Sequence, residues 1–356
     1  MKANIVSFSG GRTSAYLVHC IEQMRKDGRL QGPVEYIFMD TGAEHQATYD
    51  FVKQVAWFFG ISMTLLRPVI SSDIGTGVTF KVIGWDELKP DLQPWREMLA
   101  KHGTPYNPGG GFCTDRLKTE VSNKYCDFKY GKNNTIKWIG YRIDESKRAW
   151  GKKLYPELTK RGYDTYAAAE LMTQCVTVDD HEAVLSALFA PQQDLFGCSP
   201  QVNILPLLIK KVDAVKKIGF RFMFDISDFE KSDVIEWWGS QPFDLQLNEW
   251  EGNCVFCIKK GENKIALAVK DNPEMAQEFI NMVNEPTVRD MGRKFPLNAM
   301  YRDYMSLEQI RDKWADVDRA DIIATLRGSK RFETGSCSES CEAYSDQFDL
   351  LEDDAA

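Results

Sequence analysis

The sequence predicts an α/β fold in which a doubly wound, mostly parallel sheet is flanked by helices and followed by a helical C-terminal region. Over the first third of the chain, short apolar runs alternate with segments whose apolar residues recur at helical spacing. Strands and helices that alternate in this way form parallel βαβ units with right-handed crossovers. The chain has 356 residues, which is enough for a full hydrophobic core.

The elements of the first half follow in order from these patterns. Apolar runs at 3–8, 34–39, 61–68 and 135–142 predict strands, the third of them stopped by a proline, and helical stripes predict helices at 13–27 and 44–59. Residues 68–112 are rich in Gly, Pro and Trp, and predict a long loop that holds one helix at 84–101. The carboxyl ends of the first two strands carry SFSGG and MDTGAE, at the edge where parallel sheets bind ligands.

The second half departs from the alternation. Residues 151–202 look like an insertion, and a later helix begins near 227–238 with Ser227 or Ser232 as its cap. The predicted organisation is a nucleotide-binding domain at 1–245, a helical, cysteine-containing region at 246–345 and an acidic, disordered tail at 346–356.

Composition narrows the class of protein. No apolar run approaches the roughly 18 residues that span a membrane, and the first residues are too short an apolar stretch for a signal peptide, so we expect a cytoplasmic protein that does not bind membranes. The formal net charge of −8 provides no global basic surface for nucleic acid, although Lys and Arg recur between 116 and 153.

The stretch SFSGGRTSAY places small and hydroxyl residues where the first strand gives way to a helix. Amide N–H groups at a helix N-terminus have no partner in the helix and carry positive potential, so a glycine turn there can hold an anion. A lysine at the position required by the common phosphate-binding loop is absent. The residues of the predicted phosphate site are Ser7, Ser9, Gly10, Gly11, Thr13 and Ser14.

Four motifs in order carry a family resemblance over about residues 4–260. SFSGGRTS resembles the S-G-G-x-x-S pyrophosphate loop (PP-loop) of the ATP-pyrophosphatase superfamily, and FMDTGAEHQATYDFV resembles the second motif of the phosphoadenosine phosphosulfate (PAPS) reductase family. WIGYRIDESKRA and the ILPLL…ISDFEKSDVIEWW segment resemble later motifs of that family. The resemblance implies a fold like that of the adenine nucleotide alpha-hydrolases.

The resemblance also implies roles for particular residues. The loop 9–14 holds the phosphates, with Arg12 keeping a positive charge and Thr13 standing where aspartate is common. The implied nucleotide-side residues are Asp40, Thr41 and Gly42, and the implied catalytic residues are Asp40, Glu44, Arg142, Glu145 and Arg148. The arginines would clamp phosphate or sulfate, and Glu145 would orient them or hold Mg²⁺. Helix capping near position 41 and a solvated charged loop at 142–148 are the alternatives.

Nine cysteines suggest a further site. Cys254 and Cys257 form a C-x-x-C, and Cys113 lies where relatives with iron–sulfur clusters place a ligand. With Cys341 or Cys337 as fourth ligand, the preferred interpretation is a [4Fe–4S] cluster. Structural Zn²⁺ on the same ligands is the second interpretation, and packed thiols are the third.

Two enzyme classes and a non-catalytic role remain open. The favoured class binds ATP, adenylates an acceptor with release of pyrophosphate and supports sulfur transfer, as enzymes of nucleic-acid modification do with a sulfur donor protein. The second reductively cleaves the sulfonucleotides PAPS or adenosine phosphosulfate to sulfite, although the E-C-G-[LI]-H motif of those reductases is absent. The third is a nucleotide sensor without turnover.

Two peptides predict a different partner. Residues 192–196 and 347–351 resemble the motif by which bacterial replication proteins bind the sliding clamp. Chance resemblance is the alternative for each.

Overall fold

The computed structural model describes residues 1–73, 75–106, 111–189 and 203–327. The strands are β1 (Ala3–Phe8), β2 (Val34–Met39), β3 (Met63–Ile70), β4 (Val78–Ile83), β5 (Thr135–Ile139) and β6 (Phe220–Phe222). The helices of the first half are α1 (Arg12–Lys26), α2 (Gln46–Phe59), α3 (Gln93–His102), α4 (Glu120–Tyr130), α5 (Lys147–Lys160), α6 (Thr165–Thr177) and α7 (His181–Phe189). Those of the second half are α8 (Leu205–Ile218), α9 (Lys231–Gly239), α10 (Glu262–Asp271), α11 (Pro273–Val283), α12 (Leu307–Lys313) and α13 (Arg319–Arg327).

The strands form one sheet in the order β4-β3-β2-β1-β5-β6, and this confirms the predicted fold class. Every pairing is parallel except that of β3 with β4. The chain runs outward from β1 to β2 on one side and later adds β5 on the other side. A crevice therefore opens at the carboxyl end of β1, the place where doubly wound sheets bind ligands.

Alternating side chains of the sheet enter two separate cores, one on each face. Ile5 of β1 packs with α3, α4 and the later helices, whereas Val6 and Phe8 pack with α1, α2 and α9. The C-terminal helices join the first of these cores, through residues such as Ile265 and Phe279. Strands of a parallel sheet that are buried on both faces consist of near-continuous apolar runs, as β1 and β2 do.

Three local predictions were wrong. Strand β3 continues through Pro68 to Ile70, because β2 pairs with β3 only as far as Leu66 and proline is tolerated where a strand keeps a single neighbour. The loop predicted at 68–112 contains β4, and its helix begins at Gln93 rather than at 84. Neither β4 nor the three-residue β6 has an apolar pattern strong enough to predict a strand.

Helix α9 begins at Lys231, so the predicted caps Ser227 and Ser232 were also wrong. Glu230 is the N-cap residue, and its backbone N–H donates to Asp233 Oδ2 at 2.7 Å. Asp233 in the first turn therefore binds the backbone N–H of the N-cap residue, and no serine hydroxyl caps the helix. Within the described parts of the chain, none of the helices has the length and apolarity needed to cross a membrane.

Candidate functional site

The turn between β1 and α1 can be built only with glycine at position 10. Gly10 has φ +81°, and a Cβ atom there would lie 2.5 Å from Thr48 Cγ2. Gly11 is the N-cap of α1, and the first bond within the helix runs from Ala15 N–H to the Gly11 carbonyl at 3.0 Å. The amide N–H groups of residues 12–14 lie between Gly11 and Ala15, before this first helical hydrogen bond, so they have no acceptor in the helix.

Hydroxyl groups set the shape of this turn. Ser14 Oγ accepts the backbone N–H of Ser9 at 3.1 Å and lies 3.0 Å from the Gly11 carbonyl oxygen, to which it donates. Ser9 Oγ lies 3.0 Å from Ser14 Oγ. The turn is therefore held by its own side chains, and its helix-end amides are preorganised for an anion.

A pocket of about 210 Å³ opens beside the turn. One side is formed by the β1–α1 turn, by the end of β5 and by the segment that follows β5. The other side is formed by α9 and by residues 245–253, with several apolar side chains. Its lining residues are Ser9, Gly11, Arg12, Thr13, Ser14, Gly140, Arg142, Glu145, Lys231, Val234, Ile235, Leu245, Leu247, Asn248, Glu249, Gly252 and Asn253.

Arg142 links the turn to a group of acidic residues. Its side chain is buried, and Nη1 donates to Thr13 Oγ1 at 3.1 Å. Nε and Nη2 donate to the two oxygens of Asp144 at 2.8 and 2.9 Å, and Nη1 lies 3.1 Å from Glu145 Oε2. Glu145 also pairs with Arg148 Nη1 at 2.8 Å, so one carboxylate orients both arginines.

The other two basic side chains of the pocket are paired with carboxylates as well. Arg12 donates to both oxygens of Asp244, at 2.7 and 2.9 Å, and to the Leu245 carbonyl. Lys231 lies 3.3 Å from Glu249. Arg12 thereby ties the turn to the apolar wall, and an entering polyanion must compete with these carboxylates or bring a cation with it.

Asp40 and Glu44 lie together in the interior and do not line the pocket. Asp40 accepts from Arg67 Nε at 2.7 Å and from the Tyr49 hydroxyl at 2.9 Å, and Glu44 accepts from Thr41 Oγ1 at 2.8 Å. Burial, and next the charge of Glu44, raise the pKa of Asp40 from 3.8 to about 6, while Arg67 opposes that rise. This cluster fixes the turn that follows β2 and keeps its carboxylates away from the pocket.

The raised pKa of Asp40 predicts a pH-dependent stability. The folded state holds the Asp40 proton more tightly than the unfolded state, so this stabilisation is full at low pH and is lost as the pH rises through about 6. Relative to Asp40→Asn, the wild-type free energy of unfolding should fall by about 2 kcal/mol between pH 4.5 and 7.5. Urea unfolding of both proteins across this range measures it, and parallel pH profiles would contradict it.

Three of the predicted ligand cysteines share one small cavity. Cys113, Cys254 and Cys257 line it, and its volume is about 20 Å³. The rest of its lining is Thr41, Trp95, Thr114, Leu117, Lys118 and Ile258. Across the described ranges, no three His, Cys, Asp or Glu side chains are arranged to hold a metal ion. Cys341 and Cys337, the candidates for the fourth ligand, lie outside the described residues.

The thiol cavity adjoins the turn after β2. Glu44 and Cys254 form an isolated antiparallel bridge, and Val255 N–H donates to the Ala43 carbonyl at 3.0 Å. Gly252 and Asn253, directly before Cys254, line the larger pocket. The segment 252–257 therefore separates the two cavities and contacts both.

Apart from the cysteines, the structure places the predicted site residues in two groups, those that line the pocket and those that do not. Seven of them line the pocket, either in the β1–α1 turn or in the segment after β5. They are Ser9, Gly11, Arg12, Thr13, Ser14, Arg142 and Glu145. Ser7, Gly10, Asp40, Thr41, Gly42, Glu44 and Arg148 do not line it. Lys118, Lys137 and Arg142, from the run of basic residues at 116–153, are buried and form no surface groove.

The apolar wall and its basic and acidic neighbours were not predicted. They are Lys231, Val234, Ile235, Leu245, Leu247, Asn248 and Glu249. The family-like segment ending in DVIEWW indicated a helix there, but not which of its faces meets the turn. Both clamp-like peptides, at 192–196 and 347–351, lie outside the described residues, as does the tail.

The fold and the turn together define a PP-loop protein, in which helix-end amides and hydroxyls follow the first strand of a doubly wound sheet. Residues 3–78 match the phosphoadenosine phosphosulfate reductase domain family. The chain belongs to this family.

Two relatives share longer stretches of sequence. The uncharacterized nin region protein ORF290 of Escherichia phage lambda is 38% identical over 350 residues, which cover 98% of this chain and 97% of that protein. The uncharacterized protein MJ0973 of Methanocaldococcus jannaschii is 24% identical over 224 residues, or 60% of this chain and 48% of that protein. No solved structure matches the chain.

Proposed function

We propose that the protein binds ATP in the 210 Å³ pocket and transfers its adenylyl group to an acceptor, with release of pyrophosphate, as one step of sulfur transfer. One observation carries the proposal. The amide N–H groups of residues 12–14 and the hydroxyls of the turn adjoin a pocket whose far wall is apolar. A phosphate chain suits the first surface and a purine base suits the second.

The proposed reaction is a displacement at the α-phosphorus. A nucleophile of the acceptor attacks that phosphorus, the α–β phosphoanhydride bond breaks, and its electron pair leaves with pyrophosphate. The helix-end amides and Arg142 would stabilise the charge that develops on the phosphate oxygens. Glu145 and Glu249 are the carboxylates that line the pocket, and they would hold Mg²⁺ in exchange for their present ion pairs with Arg142, Arg148 and Lys231. When bound, Mg²⁺ neutralises phosphate charge. A sulfur nucleophile then displaces AMP from the acceptor.

The sequence lacks the E-C-G-[LI]-H motif of the reductases, and this favours adenylation over reductive cleavage of a sulfonucleotide. Reduction requires a thiolate that can reach the sulfur of the sulfate group. Of the cysteines within the described ranges, none lines the pocket, and Cys113, Cys254 and Cys257 line the separate thiol cavity. Nucleic acid is the proposed acceptor class and a sulfur carrier protein the proposed donor, on the basis of the resemblance to enzymes of nucleic-acid thiolation.

Product analysis separates the three candidate functions. With ATP, Mg²⁺, a sulfur donor and tRNA or duplex DNA, we expect pyrophosphate release that depends on the acceptor. Calorimetry should give tighter binding of ATP than of PAPS or adenosine phosphosulfate, since three phosphates engage the turn. Sulfite release from PAPS in the presence of thioredoxin would contradict adenylation and support reduction. ATP binding without turnover on any acceptor would support a sensor.

We also propose that Cys113, Cys254 and Cys257 hold a [4Fe–4S] cluster, with Cys341 as fourth ligand. Three thiols on one cavity suit an iron–sulfur cluster, and position 111 suits a tight enclosure, because a Cβ there would lie 2.8 Å from Ile258 Cδ1. A cluster binds each thiolate at a different iron, whereas Zn²⁺ requires all ligands around one point, an arrangement that the described ranges lack. When bound, the cluster supplies one-electron transfer and a cross-link between distant segments.

A further inference from the structure

Two residues that line the thiol cavity each have a buried polar atom without a hydrogen-bond partner in the described part of the chain. Trp95 Nε1 and Thr114 Oγ1 have no hydrogen-bond partner among the described residues, although both residues are almost fully buried, at 3% and 2% exposure. Both residues line the cavity that Cys113, Cys254 and Cys257 share. Buried donors in native proteins nearly always have an acceptor, so these two indicate a group that occupies the cavity.

The two residues line the cavity from different elements. Trp95 belongs to α3, where its ring packs against Phe279 with ring centroids 5.5 Å apart. Thr114 directly follows Cys113 and precedes the π-helical turn Asp115–Thr119. Packing against Phe279 holds the ring of Trp95, and the burial of Thr114 keeps its hydroxyl away from solvent.

The surroundings of the cavity favour an anionic occupant. Lys118 lines it and is buried, and its Nζ lies 3.7 Å from Glu44. Lys260 is also buried, and its ammonium donates to the carbonyls of Trp250 and Val255 at 2.6 and 2.8 Å. Lys118, although paired with Glu44, and Lys260, which lies near the C-x-x-C segment, would favour negative charge on sulfur atoms in the cavity.

We propose that Trp95 Nε1–H and the Thr114 hydroxyl donate hydrogen bonds to the sulfur atoms of the thiolate-bound cluster and so retain it and tune its reduction. The inference rests on the cluster proposed above. Trp95 and Thr114 are positioning and tuning residues, since the thiolates are the ligands. One water molecule, for which a cavity of about 20 Å³ has room, is the alternative occupant, whereas the larger cluster requires the thiol-bearing segments to move apart.

Removing each donor should weaken retention of iron. Thr114→Val and Trp95→Phe keep the shape or the aromatic contact but lose the donor. After anaerobic reconstitution with iron and sulfide, both should bind iron, lose it to a chelator about three- to tenfold faster, and be reduced less completely at a fixed potential. The reduced cluster carries more negative charge on sulfur than the oxidised cluster, so removal of a hydrogen-bond donor destabilises the reduced form more.

Matched controls isolate the cavity. Thr48 is a buried threonine whose hydroxyl likewise lacks a partner in the described ranges, but it packs beside Gly10. Thr48→Val and the exposed Trp57→Phe should retain iron as wild type does. In iron-free protein, Thr114→Val should raise Tm by about 2 °C, because it removes an unsatisfied buried hydroxyl.

Three results would overturn the inference. The first is a reconstituted wild type that contains no iron and has no visible absorption. The second is that both cavity variants retain iron and are reduced as wild type is. The third is that Thr114→Val lowers the Tm of the iron-free protein, as the loss of a bridging water would. ATP binding is measured by calorimetry on the same samples. Wild-type ATP affinity together with any of these results removes the cluster inference and leaves the proposed nucleotide function standing.

Discussion

Replacing Gly11 by aspartate should abolish ATP binding and leave the fold at least as stable as wild type. Aspartate is among the best N-cap residues, and a Cβ at this position would have no neighbour closer than 3.8 Å, so helix α1 should gain a few tenths of a kcal/mol. The same carboxylate would face the phosphates at close range and raise the Kd for ATP about 100- to 1,000-fold. Calorimetry and urea unfolding measure the two effects separately.

Two further variants sharpen this prediction. Gly11→Asn supplies a comparable cap without charge, so it should bind ATP with an affinity between those of wild type and Gly11→Asp. Gly10→Ala should lose stability as well as binding, because position 10 has a positive φ and its Cβ would overlap Thr48. An unchanged Kd in Gly11→Asp would show that the phosphates bind elsewhere.

Replacing Arg142 by methionine should cost both stability and turnover. The buried guanidinium is the partner of Asp144 and one of two partners of Glu145, so its loss should lower the free energy of unfolding by about 3 kcal/mol. Pyrophosphate release should fall at least about 100-fold, because a donor to the reacting phosphates is removed. Unfolding curves and initial rates with saturating ATP measure the two losses.

A double variant separates the structural part of this effect from the chemical part. Adding Asp144→Asn to Arg142→Met removes one of the two carboxylates that lose this partner, and Glu145 keeps Arg148, so part of the lost stability should return while pyrophosphate release stays low. Arg161→Met breaks a more exposed ion pair with Glu157 outside the pocket and should leave turnover unchanged. Recovery of turnover in the double variant would assign Arg142 a purely structural role.

The first part of the fold followed directly from sequence pattern. The strand at 34–39 and the helices of the first βαβ units have strong apolar periodicity, because both faces of the sheet are buried. The β1–α1 turn was also predictable from local sequence, because glycines and hydroxyl residues at the end of a strand have few purely structural uses. At these positions the packing of the folded protein favours the same secondary structure as the local sequence does.

The unpredicted features depend on contacts between distant segments. Nothing local to Leu245 or Glu249 indicates that they face the turn near residue 12, because the tie between them is the pair Arg12–Asp244. Arg12 has the charge expected of a phosphate ligand, yet its guanidinium is bonded to Asp244. The position of Asp40 was likewise not predictable from its motif. The motif predicts a site residue, but the ion pair with Arg67 holds Asp40 in the interior.

Hydrogen exchange in the β1–α1 turn tests the central claim most directly. The amides of residues 12–14 have no acceptor in the helix and should exchange rapidly in the ATP-free protein. Saturating ATP should protect peptides that span residues 9–15 at least about tenfold, and adenosine, which lacks phosphates, should not. Exchange in this turn that stays fast with ATP bound would contradict phosphate binding by the loop.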